Sequence, residues 1–324
     1  MSLGDSVLDA VGNTPMVRLK NVSKGVKPWI YAKLEFMNPG GSVKDRIAAY
    51  LVADAEKKGI LKKGGTIVEP TSGNTGVGLA MLAAVRGYKV IFTMPDKVSE
   101  EKRALLKAYG AKVVVAPTEL PPSSPDHYVN VALRLQRKTP RSYMPNQYQN
   151  LANPKAHYET TGPEIWHQTD GQVDALVAGV GTGGTISGAG RYLKERNKSV
   201  LVVGVEPDGS IYGDLKRGTK KNLHPYLVEG IGEDFVPGTY DEGVVDEILT
   251  VRDPKSIQAA RHLALDEGIL AGGSSGTAVA GALQLAKRQP SLKMIVVILP
   301  DSGRSYLSKI FNPNWLRSHR LSQD

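Results

Sequence analysis

The chain has 324 residues and no cysteine, which excludes disulfides, thiolate metal sites, CxxC redox pairs and a cysteine nucleophile together. A hydrophobic fraction of 41% with 35 glycines and 20 prolines describes a globular protein long enough for two ordinary domains, and the longest apolar runs, such as Met294 to Leu299, are strand-sized and do not span a membrane. The net charge of +9 is scattered in short groups such as Lys62-Lys63 and Lys220-Lys221, with aromatics at only 6%, so we expect no nucleic-acid surface; a mildly positive field favours anionic small molecules.

In chain order, residues 1–9 lack a basic region followed by an apolar stretch, so we expect no signal peptide and a cytoplasmic protein. The run GGSVKDR, residues 40–46, then places Lys44 after two glycines at the expected start of a helix. Two readings are open. Lys44 is an ordinary helix-start lysine beside Asp45 and Arg46, or it is a partly desolvated amine of lowered proton affinity, suited to a Schiff base.

From residue 66 the pattern reads βαβαβ: strands at 66–68, 89–93 and 112–115, helices at 76–86 and 99–109. Gly87 and Gly110 sit where helix C-caps belong, and Ser99 before Glu100 and Glu101 reads as an N-cap. A proline-rich break, PTELPPSSP at 117–125, is followed by helices at 126–137, 185–195, 254–267 and 275–287 and strands at 174–178, 200–205 and 293–299. Strands separated by helices predict a parallel α/β sheet.

Four turns carry small residues where backbone must approach something closely: 71–76 (TSGNTG), 179–185 (GVGTGGT), 230–232 (GIG) and 272–276 (GGSSG). The first, second and fourth precede helices, whose exposed N–H groups and dipole make anion sites. Gly179, Gly181 and Gly184 also satisfy GxGxxG, with Glu206 at the end of the next strand, the fingerprint of a nicotinamide or flavin dinucleotide site. A glycine turn needed only for tight packing is the competing reading. His127, His157, His167, His224, His262 and His319 show no metal-ligand spacing with carboxylates, and no metal site is assigned.

Read together, GGSVKDR, EPTSGNTG, QYQNLANPKAHYETTGPEIW, GVGTGGTISG, GVEPDGS, EGIGEDF, GGSSG and ILPDSGRSYLSK resemble the pyridoxal-phosphate enzymes of the cysteine synthase and cystathionine β-synthase family, from Gly12-Asn13-Thr14-Pro15 to about Trp315. The resemblance implies a two-domain α/β enzyme of fold type II, similar to the tryptophan synthase β subunit. Residues 1–40 and 150–324 would form a large cofactor-binding domain and 41–149 a small mobile domain closing on substrate. It also implies pyridoxal 5′-phosphate as cofactor, amino-acid and thiol substrates, and a homodimer.

By the same resemblance Lys44 is the Schiff-base lysine, general base and proton donor. Gly181, Thr182, Gly183, Gly184 and Thr185 would hold the phosphate, so that the GxGxxG match marks a monophosphate turn. Ser274 would meet the pyridine nitrogen, with helix capping as its alternative role, and Asn74 the ring's 3′ oxygen. Thr71, Ser72, Gly73, Thr75 and Gln147 would receive the substrate carboxylate, Gly230 would belong to the same substrate site, and Tyr148 and Glu233 would lie toward the thiol. The implied reaction is β-replacement on L-serine or O-acetyl-L-serine through an aminoacrylate intermediate. The segment SSPDHY at 123–128, Gln147-Tyr148, residues 229–235, and residues 300–309 followed by Trp315 look more like the cystathionine β-synthase branch, which favours homocysteine over sulfide. Cysteine formation from O-acetylserine and sulfide is the alternative. The C-terminal regulatory repeats and haem-binding extension of some relatives find no match within these residues, so regulation by those routes is not expected.

Overall fold

The computed structural model describes residues 3–71, 73–96, 98, 100–121 and 123–321. In chain order the elements are β1 (Met16–Leu19), β2 (Trp29–Leu34), α1 (Lys44–Lys57), β3 (Thr66–Pro70), α2 (Asn74–Arg86), β4 (Lys89–Pro95), α3 (Glu100–Ala108), β5 (Lys112–Ala116), α4 (Tyr128–Lys138), β6 (Ser142–Tyr143), α5 (Ala152–Ala156), a π-helical turn (His157–Thr161), α6 (Gly162–Gln168), β7 (Ala175–Gly179), α7 (Gly184–Arg196), β8 (Leu201–Pro207), α8 (Tyr212–Arg217), β9 (Glu247–Val251), α9 (Asp253–Glu267), α10 (Gly273–Arg288), β10 (Met294–Leu299) and α11 (Pro313–Ser318). Every strand and helix read from periodicity occurs within about two residues of its expected place. Gly87 is the left-handed C-cap of α2, with φ +73°, while the Ser99 cap lies outside the described residues. Four strands escape the sequence reading. β1 and β9 are short and mixed, β6 has only two residues, and β2 carries a lysine at an interior position.

The chain forms two compact units. The smaller comprises the described residues up to Val11 and Asn38–Ala152; Leu8 packs on its core, whereas the sequence reading ran the larger domain from residue 1. Its sheet has the order β5-β4-β3-β6 with every pairing parallel. Ile67, Phe92, Met94, Leu79, Leu82 and Val52 fill the core between this sheet and α1 and α2.

The larger unit comprises Gly12–Met37 and the residues from Asn153 onward. Its sheet has the order β1-β2-β10-β7-β8-β9, parallel except for β1, which pairs antiparallel with β2. Both faces are covered, which is why β10 reads as an unbroken apolar run. Ile295, Val297 and Leu299 share one core with Ala278, Ala282 and Leu285 of α10, while Val296 and Ile298 share another with Ile186, Ala189 and Leu193 of α7. No helix among the described residues is long and apolar enough to cross a membrane.

Each sheet reverses its strand order once. In the larger unit β7, β8 and β9 march outward and β10 returns to the other side of β7; in the smaller, β3, β4 and β5 march outward and β6 returns beside β3. Loops leaving the carboxyl ends of the two strands at such a reversal diverge and leave a crevice where ligands bind in open α/β sheets. The loops so placed are 180–183 after β7, 300–302 after β10, 71–73 after β3 and 144–147 after β6.

One buried ion pair ties the larger unit's margin together. Lys33, on β2 and fully buried, donates to the Thr14 carbonyl at 2.6 Å, Glu164 at 2.7 Å and Gln168 at 2.9 Å, satisfying all three ammonium protons. Glu164 also accepts the Asn13 N–H at 2.9 Å. Replacing one partner of such a pair strands the other. Lys33→Ala is therefore expected to lower the unfolding free energy by about 3 kcal/mol, measured by urea denaturation at neutral pH.

Candidate active site

In the larger unit, β7 runs into the loop 180–183 and α7 starts at Gly184, with Gly183 as its N-cap. Gly183 has φ +79°, and an added Cβ would lie 2.6 Å from the Tyr240 Cβ; at Gly184 it would lie 1.9 Å from the Asn153 Oδ1. Only glycine fits either place. The glycine cap contributes no side-chain oxygen, and the Gly184 N–H makes only a long bond, 3.4 Å, to the Thr182 hydroxyl, at the positive end of the α7 dipole.

The loop is braced from several directions. The Asn153 amide donates to the Thr182 hydroxyl at 3.0 Å, Thr239 donates to the Thr182 carbonyl at 2.6 Å, and the Tyr212 hydroxyl donates to the Gly181 carbonyl. Gly232 donates its N–H to the Val180 carbonyl at 2.7 Å, bringing the left-handed turn Gly230-Ile231-Gly232 alongside. An added Cβ at Gly181 would meet the Gly230 carbonyl at 2.9 Å. His157, buried in the π-helical turn, sits with Nε2 at 3.2 Å from the Thr185 hydroxyl and Nδ1 at 2.9 Å from that of Thr161. The sequence reading assigned His157 no role; it orients Thr185.

Glu206 does not lie open to a ribose. Its carboxylate accepts the N–H groups of Tyr212 at 2.9 Å and Gly213 at 2.8 Å and the Thr250 hydroxyl at 3.0 Å, and burial pushes its pKa up. A carboxylate committed to the start of α8 removes the acidic half of the dinucleotide fingerprint. Ser274 is the second residue of α10 and buried, while the cap of that helix is Gly272, so Ser274 does not serve as its N-cap. Beside it the Ser275 hydroxyl is fully buried with no hydrogen-bond partner among the described residues.

In the smaller unit Lys44 is the first residue of α1 and half-buried, its N–H donating to the Ser42 hydroxyl at 3.2 Å. Asp45 and Arg46 are buried, not the solvated neighbours of an ordinary helix-start lysine. Asp45 accepts the Gly40 N–H at 2.6 Å and so fastens the glycine turn before Lys44. At Gly78 of α2 an added Cβ would lie 3.0 Å from the Lys44 carbonyl, so the first turns of α1 and α2 run in contact.

The turn after β3 starts at buried Thr71, whose N–H bonds the Thr93 carbonyl at 3.0 Å, and Gly73 is the cap of α2. Ser72 lies outside the described residues. Asn74 opens α2, and Thr75 donates its hydroxyl to the Gln147 Oε1 at 2.7 Å, joining the turns after β3 and β6 at the smaller unit's strand reversal. Tyr148 follows, half-buried. The sequence reading missed Glu69, which lies on β3 at 2% exposure and accepts the N–H groups of Asn146 at 3.1 Å and Gln147 at 3.4 Å. Its signal was an acid in an otherwise apolar strand run.

A sequence model of the family described as "Pyridoxal-phosphate dependent enzyme" matches residues 7–301. The chain belongs to that family. It is 50% identical over 319 residues to a cystathionine β-synthase of Apis mellifera, covering 98% of this chain and 63% of the relative, and 48% identical to that of Rattus norvegicus, covering 96% and 56%. The chain thus spans less than two thirds of the length of these relatives. Among solved structures, an O-ureido-L-serine synthase superposes with TM-score 0.87 at 40% identity, covering 96% of both chains. A hydrogen sulfide-producing enzyme of Fusobacterium nucleatum gives 0.88 at 38%, covering 94% of this chain and 98% of that one.

The cofactor of this family is pyridoxal 5′-phosphate, and the donors present suit it. A glycine-capped helix start with two threonine hydroxyls matches a phosphate dianion. A half-buried lysine at a helix start is of a type that suits an aldehyde, and the buried hydroxyl of Ser274 one that suits a ring nitrogen.

Burial raises the pKa of Glu69 from 4.5 to about 7, against the opposing pull of its two backbone bonds. The folded chain therefore keeps a proton that the unfolded chain releases, and stability from this group is full at low pH and declines as pH rises toward 7. Relative to Glu69→Gln, the native protein should lose about 3 kcal/mol of unfolding free energy between pH 4.5 and pH 7.5, read from urea denaturation of both at each pH.

Proposed function

We propose that this chain catalyses β-replacement on L-serine or O-acetyl-L-serine, exchanging the β-oxygen substituent for the sulfur of L-homocysteine to give cystathionine. The observation that carries this reading is the identity of about half with cystathionine β-synthases across nearly the whole chain. The carbonyl-binding lysine, the anion-binding helix starts and the buried hydroxyl support it.

Bound pyridoxal 5′-phosphate supplies an electron-withdrawing ring that makes the Cα proton of an attached amino acid acidic and lets its β-substituent leave. Lys44 would hold the cofactor's aldehyde through Nζ, and the same amine, when not so engaged, would serve as the base for the substrate's Cα proton. Delivering the same proton to the departing oxygen matters most for serine, because hydroxide leaves poorly. Gly181, Gly183, Gly184 and the hydroxyls of Thr182 and Thr185 would hold the phosphate, with Asn153, Thr239 and His157 setting their positions. Asn74 would meet the ring's 3′ oxygen.

Ser274 would meet the ring nitrogen with a neutral hydroxyl. A carboxylate there would keep that nitrogen protonated and strengthen the electron sink; a hydroxyl leaves it weaker, favouring loss of the β-substituent over transamination. Thr71, Ser72, Gly73, Thr75 and Gln147 receive the substrate carboxylate. Because Gln147 Oε1 accepts from Thr75, the amide turns its donor end, Nε2, the other way, as an anion requires. Gly230 belongs to the same substrate site, and Tyr148 and Glu233 lie on the thiol side. A homodimer and a cytoplasmic location belong to the same reading.

A second reading, cysteine from O-acetylserine and sulfide, draws on the likeness to solved enzymes named for other serine and sulfide chemistry. Purified holoenzyme should form product faster from serine and homocysteine than from O-acetylserine and sulfide, by chromatographic product assay; turnover of the latter pair alone would select the second reading. Lys44→Ala should lower kcat by about 10^3-fold or more with circular dichroism unchanged, and retained turnover would refute its role.

A further inference from the structure

We propose that Glu69 is a positioning residue for the substrate site: its carboxylate holds the 146–147 turn so that the Gln147 amide meets the incoming amino acid's carboxylate. The inference rests on the substrate role given to Gln147 above, and it starts from an acid that the fold does not need. β3 is otherwise Thr-Ile-Val-Pro, buried at its first four positions, and an isosteric neutral side chain would pack as well. Among the described residues no cation pairs with Glu69. Burying a carboxylate with two N–H donors and no counter-charge costs stability, so its presence calls for a role other than packing.

The backbone of the turn explains the use. β6 pairs with β3 only at Ser142 and Tyr143, opposite Thr66 and Ile67. Two residues on, Pro145 has no N–H to offer a ladder, and Asn146 is left-handed with φ +51°, so strand pairing stops there. Glu69 takes over where the ladder ends. Its Oε2 accepts the Asn146 N–H and its Oε1 the Gln147 N–H, one oxygen to each. The turn then closes on itself through the Gln149 and Asn150 N–H groups bonding the Asn146 carbonyl at 3.1 and 3.0 Å. From the other side Thr75 grips the Gln147 side chain. Glu69 and Thr75 stand at the two ends of the turn between β3 and α2, so Gln147 is held by backbone from the strand and by side chain from the helix.

Both oxygens accept strongly only when Glu69 is ionised; a protonated carboxyl keeps one good acceptor and a weaker one at its hydroxyl oxygen. The titratable groups on the elements packed against β3 do not replace it. Tyr143 on β6 donates to the Leu51 carbonyl at 3.2 Å and accepts from Asn150, and burial, with Asp54 of α1 and Glu69 nearby, pushes its hydroxyl well above its ordinary value. Lys89 on β4 and Arg134, Arg137 and Lys138 on α4 are exposed, Tyr128 of α4 and Tyr148 of the turn half-buried.

The test is Glu69→Gln, which keeps the shape and forces an amide donor against one of the two N–H groups. Amide hydrogen exchange of the holoenzyme should show protection factors at Asn146 and Gln147 falling about tenfold or more, the effect of losing one charge-assisted bond. KM for the amino-acid substrate should rise about tenfold with kcat changed less than about threefold and cofactor absorbance unchanged. Gln147→Ala should raise KM similarly, and the double variant should add little to it. Unchanged protection overturns the anchor, whatever the enzyme turns over; lost protection with KM within about twofold overturns its link to substrate. Failure of the native enzyme to turn over either serine substrate would instead refute the reading it rests on, while exchange still judges the anchor. If Glu69→Gln does not fold, exchange of the native protein at pH 5.5 and pH 8.5 tests the anchor by itself, with weaker protection at Asn146 and Gln147 expected at the lower pH and equal protection overturning it.

Discussion

The structure depends on one topological constraint, the single reversal of strand order in each of its two parallel sheets. Parallel strands need crossover helices, and a right-handed crossover returns each helix antiparallel to its strands, so helix N-termini gather at the carboxyl edge of the sheet. Where the order reverses, the loops on either side diverge. In the larger unit this puts the glycine loop before α7 at the β7 and β10 boundary; in the smaller it puts the 71–73 and 144–147 turns at the β3 and β6 boundary. The glycine turns lie at these positions because divergent loops at a strand reversal leave room beside the helix N-termini.

Three buried charges show how differently the fold treats such groups. Lys33 has three acceptors, one of them a carboxylate, and serves to close the margin of a sheet. Glu206 is met by Tyr212, Gly213, Thr250 and Ser210 and caps α8. Glu69 has two backbone donors and a pKa near 7, the least compensated of the three. A group left short of partners beside a binding turn is the usual mark of a place where stability is given up for position.

Much of the architecture was legible from local pattern alone. The apolar runs of β7, β8 and β10 read as strands because both faces are covered, and α7 and α10 read as helices because small and apolar residues recur on the sides that face the sheet. The glycine turns were legible because left-handed backbone and glycine caps leave a residue-type signature. The antiparallel β1 was not, since four residues, of which only Leu19 is buried, carry no period. Nor were the braces around the anion loop. Asn153, Tyr212, Thr239 and His157 lie far from residues 181–185 in sequence, and nothing local distinguishes them from any other polar residue.

By itself the sequence determined the alternation of strands and helices, the places where only glycine serves, and the set of donor types that a phosphate, an aldehyde and a carboxylate require. Those are properties of neighbouring residues, set by backbone sterics and side-chain chemistry. Tertiary structure alone decided that Glu206 is consumed by α8 and so does not read a dinucleotide, that Ser274 lies within its helix and is not the cap, and that Gln147 is gripped by Thr75 and Glu69. A hydrogen bond between residues some seventy positions apart depends on which strand lies beside which, and strand order is a long-range outcome of crossover geometry that no local window contains.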